Sequence, residues 1–111
     1  MLTELMYTSC AHTEFTDADL STLLLQSRER NLKENITGVL LYDGRVFMQI
    51  LEGHQPNLDN LLEAIKADER HYNLVVHSYA TVRSRTFAGW ALKCIRSPIT
   101  GAEPCAGEKN F

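Results

Sequence analysis

Residues 45–53 form the clearest predicted strand, because the segment is rich in β-forming residues and lies between Asp43-Gly44 and Gly53. Side chains alternate across a strand, so Gln49 shares one face with Phe47 and Leu51, and the other face carries Val46, Met48 and Ile50. Two apolar faces predict a central strand that is covered on at least one side. A buried amide without partners costs about 1–3 kcal/mol. Gln49 therefore either pairs with another buried polar group or faces a bound polar ligand.

The other elements follow from the same spacing of apolar residues. Strands are predicted at residues 2–9, 36–42, 74–79 and 90–95. Thr16, followed by Asp17 and Asp19, predicts the start of a helix that runs to about residue 30. Leu25 lies off its apolar stripe, which predicts a helix buried on more than one side.

A second helix is predicted to begin near Pro56, a residue suited to a first helical turn. Asp43-Gly44 predicts a tight turn that joins strand 36–42 to the Gln49 strand in a hairpin. The order strand, helix, strand, strand, helix, strand, with a late fifth strand, predicts an α+β fold. Its core is a ferredoxin-like βαββαβ sheet with two helices on one face.

The length of 111 residues predicts one domain, which we place at residues 1–96. Residues 97–111 are rich in Pro, Gly and polar residues and predict a short, loosely ordered tail. The chain has 44% hydrophobic and 23% charged residues and a net charge of -3, with scattered Lys and Arg. We therefore expect no nucleic-acid partner. The chain contains no apolar run of membrane-spanning length and no basic-then-apolar start, so we expect no membrane association and a cytoplasmic location.

Metal binding is not predicted either. The cysteines Cys10, Cys94 and Cys105 form no CxxC or zinc-type spacing, and the four histidines are dispersed. Free thiols in a reducing compartment are the favoured interpretation of these cysteines.

Several polar residues interrupt the apolar pattern and converge in the predicted fold. Tyr7 and Gln49 fall on adjoining central strands. Polar residues also end the buried stripe of each helix: Ser27 and Asn31 on the first, Asp68 and His71 on the second. Flat ligands with polar edges bind in clefts of this kind, which are apolar with a few placed polar groups.

Each of these residues also has a structural interpretation. Tyr7 taken alone is more often a core aromatic with a satisfied hydroxyl, and Asn31 a helix C-cap or turn residue. Asp68 and His71 fit equally well as surface residues after a helix. Gln49 is the hardest to explain without a ligand, so the residues alone slightly favour a small-molecule cleft.

Six segments together resemble the BLUF family, the blue-light sensors that use a flavin. They are residues 5–9, 27–31, 35–42, 47–53, 68–71 and 85–90, and the similarity covers roughly residues 2–95. Ile36-Thr37-Gly38 followed at this interval by Gln49-Ile50-Leu51-Glu52-Gly53 is a specific signature. The ferredoxin-like topology predicted from periodicity agrees with the fold of this family.

The resemblance implies an FAD, with FMN or riboflavin as alternatives, whose isoalloxazine ring lies between the helices without a covalent bond. Tyr7 would be the photochemical tyrosine, and Gln49 would lie between it and the flavin. The further residues implied to bind the cofactor are Asn31, Asp68, His71, Leu23, Leu24 and Ile36. Those implied to relay the signal are Trp90, Leu92 and Ser27.

The implied function is photoreception and not enzymatic catalysis. Light-driven electron and proton transfer with Tyr7 through Gln49 would leave a rearranged hydrogen-bond network and a reversible red-shifted state. The last strand would pass this state to a separate effector protein or to another copy of the chain. The alternatives are a light-insensitive ligand-binding or interaction module and a flavin redox enzyme on the same fold.

Two positions depart from the family pattern. Leu92 replaces the usual methionine of the last strand, which predicts normal flavin binding and red shift with altered dark recovery or signal output. Ala64 lies where a basic residue is common, one turn before Asp68.

Overall fold

The computed structural model describes residues 2–96 and confirms the predicted order of elements. In chain order these are β1 (Leu2–Ala11), α1 (Asp17–Lys33), β2 (Thr37–Tyr42), β3 (Val46–His54), α2 (Gln55–Ala67), β4 (His71–Thr81) and β5 (Lys93–Arg96). The prediction of a loose tail at 97–111 lies outside the described residues.

The five strands form one sheet in the order β4-β1-β3-β2-β5. β1 pairs antiparallel with β3 and β4, β2 pairs antiparallel with β3, and β5 runs parallel to β2. The predicted ferredoxin-like α+β fold with an added fifth strand is therefore confirmed. β3 lies at the centre, as its two apolar faces predict, and its Gln49 is the direct cross-strand partner of Tyr7 on β1.

Local sequence signals explain where the helices and the hairpin begin. Thr16 and Asp19 form a reciprocal capping box at the start of α1, with both hydrogen bonds at 3.1 Å. In the hairpin turn, Asp43 Oδ1 accepts from the backbone N–H groups of Arg45 and Val46 at 2.9 and 2.7 Å. Gly44 adopts a φ of 99° there, a conformation that glycine tolerates and other residues rarely adopt.

The core consists of two main clusters, one beneath each helix. The α1 cluster includes Leu24, Leu92 and three aromatic rings, of which Tyr42 and Phe47 stack at 4.6 Å. The α2 cluster includes Tyr7, Ile36 and Leu51 and the apolar face of α2. A polar site can therefore form between the two clusters, over β1 and β3.

Some predictions about individual segments are wrong. Leu25 is 62% exposed, so α1 is not buried on more than one side. β5 begins at Lys93 and not at Trp90, because Trp90 closes a turn by donating from its N–H to the carbonyl of Phe87 at 3.0 Å. Cys10 is disulfide-bonded, so the favoured free thiol is wrong at this position, whereas Cys94 is free.

Residues 2–96 contain no group of three or more His, Cys, Asp or Glu side chains that could hold a metal ion. Within the same range, neither helix has the length and apolar character needed to cross a membrane.

Candidate functional site

A cleft opens between α1 and α2 over the central strands β1 and β3. Its apolar wall includes Leu23, Leu40, Phe47, Ile65 and Leu92. Its polar lining consists of Tyr7, Ser9, Gln26, Ser27, Arg30, Gln49, Asp68, Arg70 and His71. Five of the polar residues singled out from the sequence, Tyr7, Ser27, Gln49, Asp68 and His71, therefore line one cleft.

Tyr7 and Gln49 form a buried pair on the floor of this cleft. Their side chains are 5% and 6% exposed, and the hydroxyl of Tyr7 donates a hydrogen bond to Oε1 of Gln49. Both options that the sequence left open for Gln49 are met: it pairs with a buried polar group and it also lines a cleft. Because Oε1 accepts the Tyr7 proton, the Nε2 donors of the same amide point the other way.

Burial raises the pKa of Tyr7 well above its usual value, and the charge of nearby Arg30 only partly opposes this effect. The phenol is therefore protonated at neutral pH and acts as a hydrogen-bond donor to Gln49. Burial also lowers the pKa of Arg30, whose guanidinium lines the cleft beside Tyr7.

Asn31 is fully buried and only half satisfied. Its Nδ2 donates to the carbonyl of Ala91 at 2.6 Å, and its Oδ1 is buried without a hydrogen-bond partner among residues 2–96. The C-cap of α1 is Glu34, so Asn31 is not the capping residue that its structural interpretation required. Asn31 is not among the residues that line the cleft, but an unpartnered buried acceptor is unfavourable, so its Oδ1 is suited to a donor from a bound molecule.

The α2 side of the cleft is held by His71 and Asp68. His71 bridges two elements, with Nδ1 2.7 Å from Ser9 Oγ and Nε2 2.6 Å from the carbonyl of Ile65. The side-chain hydrogen bonds from Arg70 lower the pKa of Asp68 to about 2, against the opposing effect of partial burial. Asp68 is therefore a carboxylate at neutral pH.

The remaining predicted site residues lie around the cleft in different ways. Leu23 lines it, whereas Leu24 and Ile36 belong to the core clusters behind it and do not line it. Leu92 is 3% exposed and forms part of the wall. Trp90 lies outside, 39% exposed, stacked on Phe87 at 5.7 Å.

Four polar residues of the cleft were not predicted as site residues from the sequence: Ser9, Gln26, Arg30 and Arg70. Helical spacing contains a signal for Arg30, because it follows Ser27 by three positions and so lies on the same face of α1. Position 64, where a basic residue is common in the family pattern, is occupied by Ala64, which lines the cleft. Arg30 supplies positive charge to the same cleft from the opposite helix.

These residues fit an isoalloxazine ring. Such a ring is flat and apolar over its faces, and one edge carries carbonyl oxygens and an N–H group. The N–H can supply the donor that Asn31 Oδ1 lacks, and the carbonyl oxygens can accept from amide or guanidinium groups. Leu23, Ile65 and Leu92 provide apolar surface for the faces of the ring.

A sequence model of one protein family matches residues 2–93. The family is BLUF, described as sensors of blue-light using FAD. The match spans nearly all of the described structure and all of the polar residues that line the cleft.

Known proteins are similar over the same region. A photoactivated adenylate cyclase subunit beta of Euglena longa is 37% identical over 82% of this chain and 11% of its own length. A blue light- and temperature-regulated antirepressor of Escherichia coli (strain K12) is 34% identical over 86% of this chain and 24% of its own length. The chain thus spans about a tenth to a quarter of these relatives.

A solved structure shares the fold as well as the sequence pattern. The dark-state structure of BlrB, a BLUF protein, matches with a TM-score of 0.79 and 34% identity, covering 86% of this chain and 72% of that one.

Proposed function

The chain belongs to the BLUF family, the sensors of blue light that use FAD, and on that premise we propose that Tyr7 and Gln49 are its photoactive pair. The observation that carries the proposal is the buried hydrogen bond from the Tyr7 hydroxyl to Gln49 Oε1 on the floor of the cleft. This bond joins an oxidisable phenol to a group that can both accept and donate a proton. The family's role is light sensing, so the domain is a sensor and not a catalytic domain.

When bound and excited by blue light, the flavin supplies a strong one-electron oxidant. Tyr7 holds its proton in the dark and would give up an electron to the excited flavin together with its hydroxyl proton. Oε1 of Gln49 already accepts the hydroxyl hydrogen and would receive that proton, while Nε2 would release a proton toward the cofactor, so that the amide stays neutral. Return of an electron and a proton to Tyr7 would leave Gln49 rotated or tautomerised, with a different set of hydrogen bonds. Because no covalent bond forms, the altered state relaxes in the dark.

Asn31 holds the polar edge of the cofactor through its unpartnered Oδ1. Asp68 and His71 bind from the α2 side, where Asp68 is ionised and His71 is oriented by Ser9 and Ile65. Leu23 provides a direct apolar contact, while Leu24 and Ile36 support the wall from the core.

Output leaves the cleft through the segment that carries Trp90 and Leu92. Leu92 contacts the cleft, and α1 holds this segment through Asn31 and through Arg28, whose Nε donates to the Leu92 carbonyl at 2.7 Å. Ser27 is buried, lines the cleft and lies one turn before Asn31 on α1, so it would relay the change to this helix. The sensor domain is assigned to residues 1–96, and its signal passes in the cytoplasm to a separate effector protein or to a second copy of the chain.

Absorbance spectra of the purified protein in the dark and after blue light test this function. A reversible red shift of a flavin spectrum supports it. A colourless protein contradicts it, as does a bleached spectrum of the kind that a covalent flavin adduct gives.

A further inference from the structure

Glu52 is a fully buried carboxylate that the photochemistry of the cleft does not explain. It lies on β3, three residues after Gln49, and it is 0% exposed. It is not among the residues that line the cleft. An ionised carboxylate in the protein interior requires several hydrogen bonds, so its partners indicate its role.

Those partners come mainly from the segment that joins β4 to β5. Glu52 Oε2 accepts from the backbone N–H of Thr86 at 2.5 Å, and Oε1 accepts from the backbone N–H of Phe87 at 2.9 Å. Thr37, the cross-strand partner of Glu52 on β2, donates its hydroxyl to Oε1 at 3.0 Å. Three donors converge on the two side-chain oxygens of Glu52, and two of them are successive backbone N–H groups, so Glu52 fixes the backbone at 86–87.

Arg85 fastens the same segment to the ends of β2 and β3. Its Nη1 donates to Thr37 Oγ1 at 2.7 Å and to the carbonyl of Glu52 at 3.0 Å, and its Nη2 donates to the carbonyl of Asn35 at 2.8 Å. The segment is therefore held both by its backbone and by a guanidinium, at a point where β3 and β2 are cross-strand neighbours.

Trp90 depends on this anchorage for its position. Its ring stacks on Phe87, and its N–H donates to the Phe87 carbonyl at 3.0 Å. Its own carbonyl accepts from the N–H of Gly38 at 3.0 Å, on the strand that carries Thr37. A continuous set of contacts thus runs from Glu52 through Phe87 to Trp90.

We propose that Glu52 is the positioning residue that transmits a change at Gln49 to Trp90. Gln49 and Glu52 lie three residues apart on β3 and therefore on opposite faces of the strand, so a change in the pairing of Gln49 reaches the carboxylate that holds residues 86–87 through the backbone of β3. The inference rests on the proposed function, because Gln49 supplies the change. It adds a path along β3, separate from the contacts that α1 makes with Ala91 and Leu92.

The chain contains one tryptophan, so Trp90 can report on this path without added probes. Protein labelled with 5-fluorotryptophan and loaded with FAD gives a single ¹⁹F resonance, to be recorded in the dark and under blue light. The wild-type resonance is expected to move on illumination. In Glu52→Ala the flavin red shift is expected to persist and the light-induced movement of the resonance to be lost.

Glu52→Gln separates positioning from a general structural role. Its amide keeps one oxygen acceptor for the N–H groups of residues 86–87, so the light-induced movement should be partly restored. Glu63→Ala, at an exposed position on α2, is the matched control and should behave as wild type. If Glu52→Ala does not fold, as judged by circular dichroism, Glu52→Gln and Arg85→Ala take its place. The light-induced movement of the ¹⁹F resonance is then expected to be smaller in both variants than in wild type.

The outcomes separate the two proposals. Full ¹⁹F movement in the folded Glu52 variants, together with a normal red shift, overturns the role of Glu52 and leaves the photochemistry intact. A wild-type protein without a red shift overturns the proposed function. In that case an unchanged dark-state ¹⁹F position in Glu52→Ala would also overturn the positioning of Trp90 by Glu52.

Discussion

Asn31 on α1 holds the segment before β5 through a 2.6 Å hydrogen bond from its Nδ2 to the carbonyl of Ala91. The Oδ1 of the same amide is buried without a partner among residues 2–96. Asn31 therefore holds the segment before β5 through Nδ2, and its Oδ1 is suited to accept a hydrogen bond from a ligand.

Asn31→Ala is expected to weaken FAD binding, because the ligand loses a buried hydrogen bond. A loss of about 1–3 kcal/mol corresponds to roughly 5- to 150-fold weaker binding. Titration of FAD into the apoprotein, followed by flavin fluorescence, measures the affinity. Asn57→Ala is the matched control, since the exposed hydrogen bond from Asn57 to the Glu34 carbonyl lies on α2 outside the cleft lining. Equal affinity in Asn31→Ala and wild type would remove Asn31 from the cofactor site.

Gln49→Glu and Gln49→Leu are each expected to abolish the normal light cycle. A glutamate at this position lacks the amide donor, and a leucine lacks both the donor and the acceptor that Tyr7 uses. Light-minus-dark absorbance should show no red-shifted state in either variant. Gln55→Glu, at an exposed position at the start of α2, should retain the full shift. A normal red shift in Gln49→Leu would show that the amide is not the switch.

Leu92→Met tests the departure from the family pattern on the wall of the cleft. The two side chains have similar volume, so FAD binding and the red shift should persist. The flexible thioether should alter the rate of dark recovery or the binding of a downstream partner. Recovery is measured as the decay of the red-shifted absorbance, with Leu32→Met, which is 71% exposed in the wild type, as control. Identical recovery and identical partner binding would contradict the expectation.

Gly38→Ala tests why the Ile-Thr-Gly signature requires a glycine. A Cβ at Gly38 would lie 2.2 Å from the backbone oxygen of Ile50, which a paired strand cannot easily move. Destabilisation of about 1–3 kcal/mol is expected from overpacking of this kind. A Cβ at Gly53 would lie 3.1 Å from the side-chain Cγ1 of Ile36, its nearest atom, so Gly53→Ala should lose less stability than Gly38→Ala. Chemical denaturation of the variants gives both values, and equal stability of wild type and Gly38→Ala would refute the steric explanation.

The order of elements and the centre of the site were predictable because they depend on local signals. The Asp43-Gly44 turn and the apolar alternation around Gln49 place β3 beside β2, and the topology then places Tyr7 opposite Gln49. The polar ends of the two predicted helical stripes correctly indicated Ser27 and Asp68 as cleft residues, whereas Asn31 does not line the cleft. His71 also lines it, but as the first residue of β4 and not from the end of a helix as predicted, because α2 ends at Ala67.

Other features depend on tertiary contacts that spacing does not contain. Leu25 breaks the stripe of α1 but lies in solvent, because only one face of that helix meets the sheet. β5 begins at Lys93 and not at Trp90 as predicted, because hydrogen bonds to Phe87 and Gly38 hold Trp90 in a turn. The burial of Glu52 could not be predicted from local spacing, because its partners at 86–87 are more than thirty positions away in the chain.

Light-minus-dark absorbance of FAD-loaded Tyr7→Phe tests whether the Tyr7 hydroxyl is needed for the red-shifted state. The change removes the hydroxyl that donates to Gln49 Oε1 and leaves the ring that fills the core. Tyr79→Phe is the matched control, because this hydroxyl lies on the exposed side of β4, where it donates to Asp59. We expect a reversible red shift in wild type and in Tyr79→Phe and none in Tyr7→Phe. A full red shift in Tyr7→Phe would contradict the proposal that Tyr7 and Gln49 are the photoactive pair.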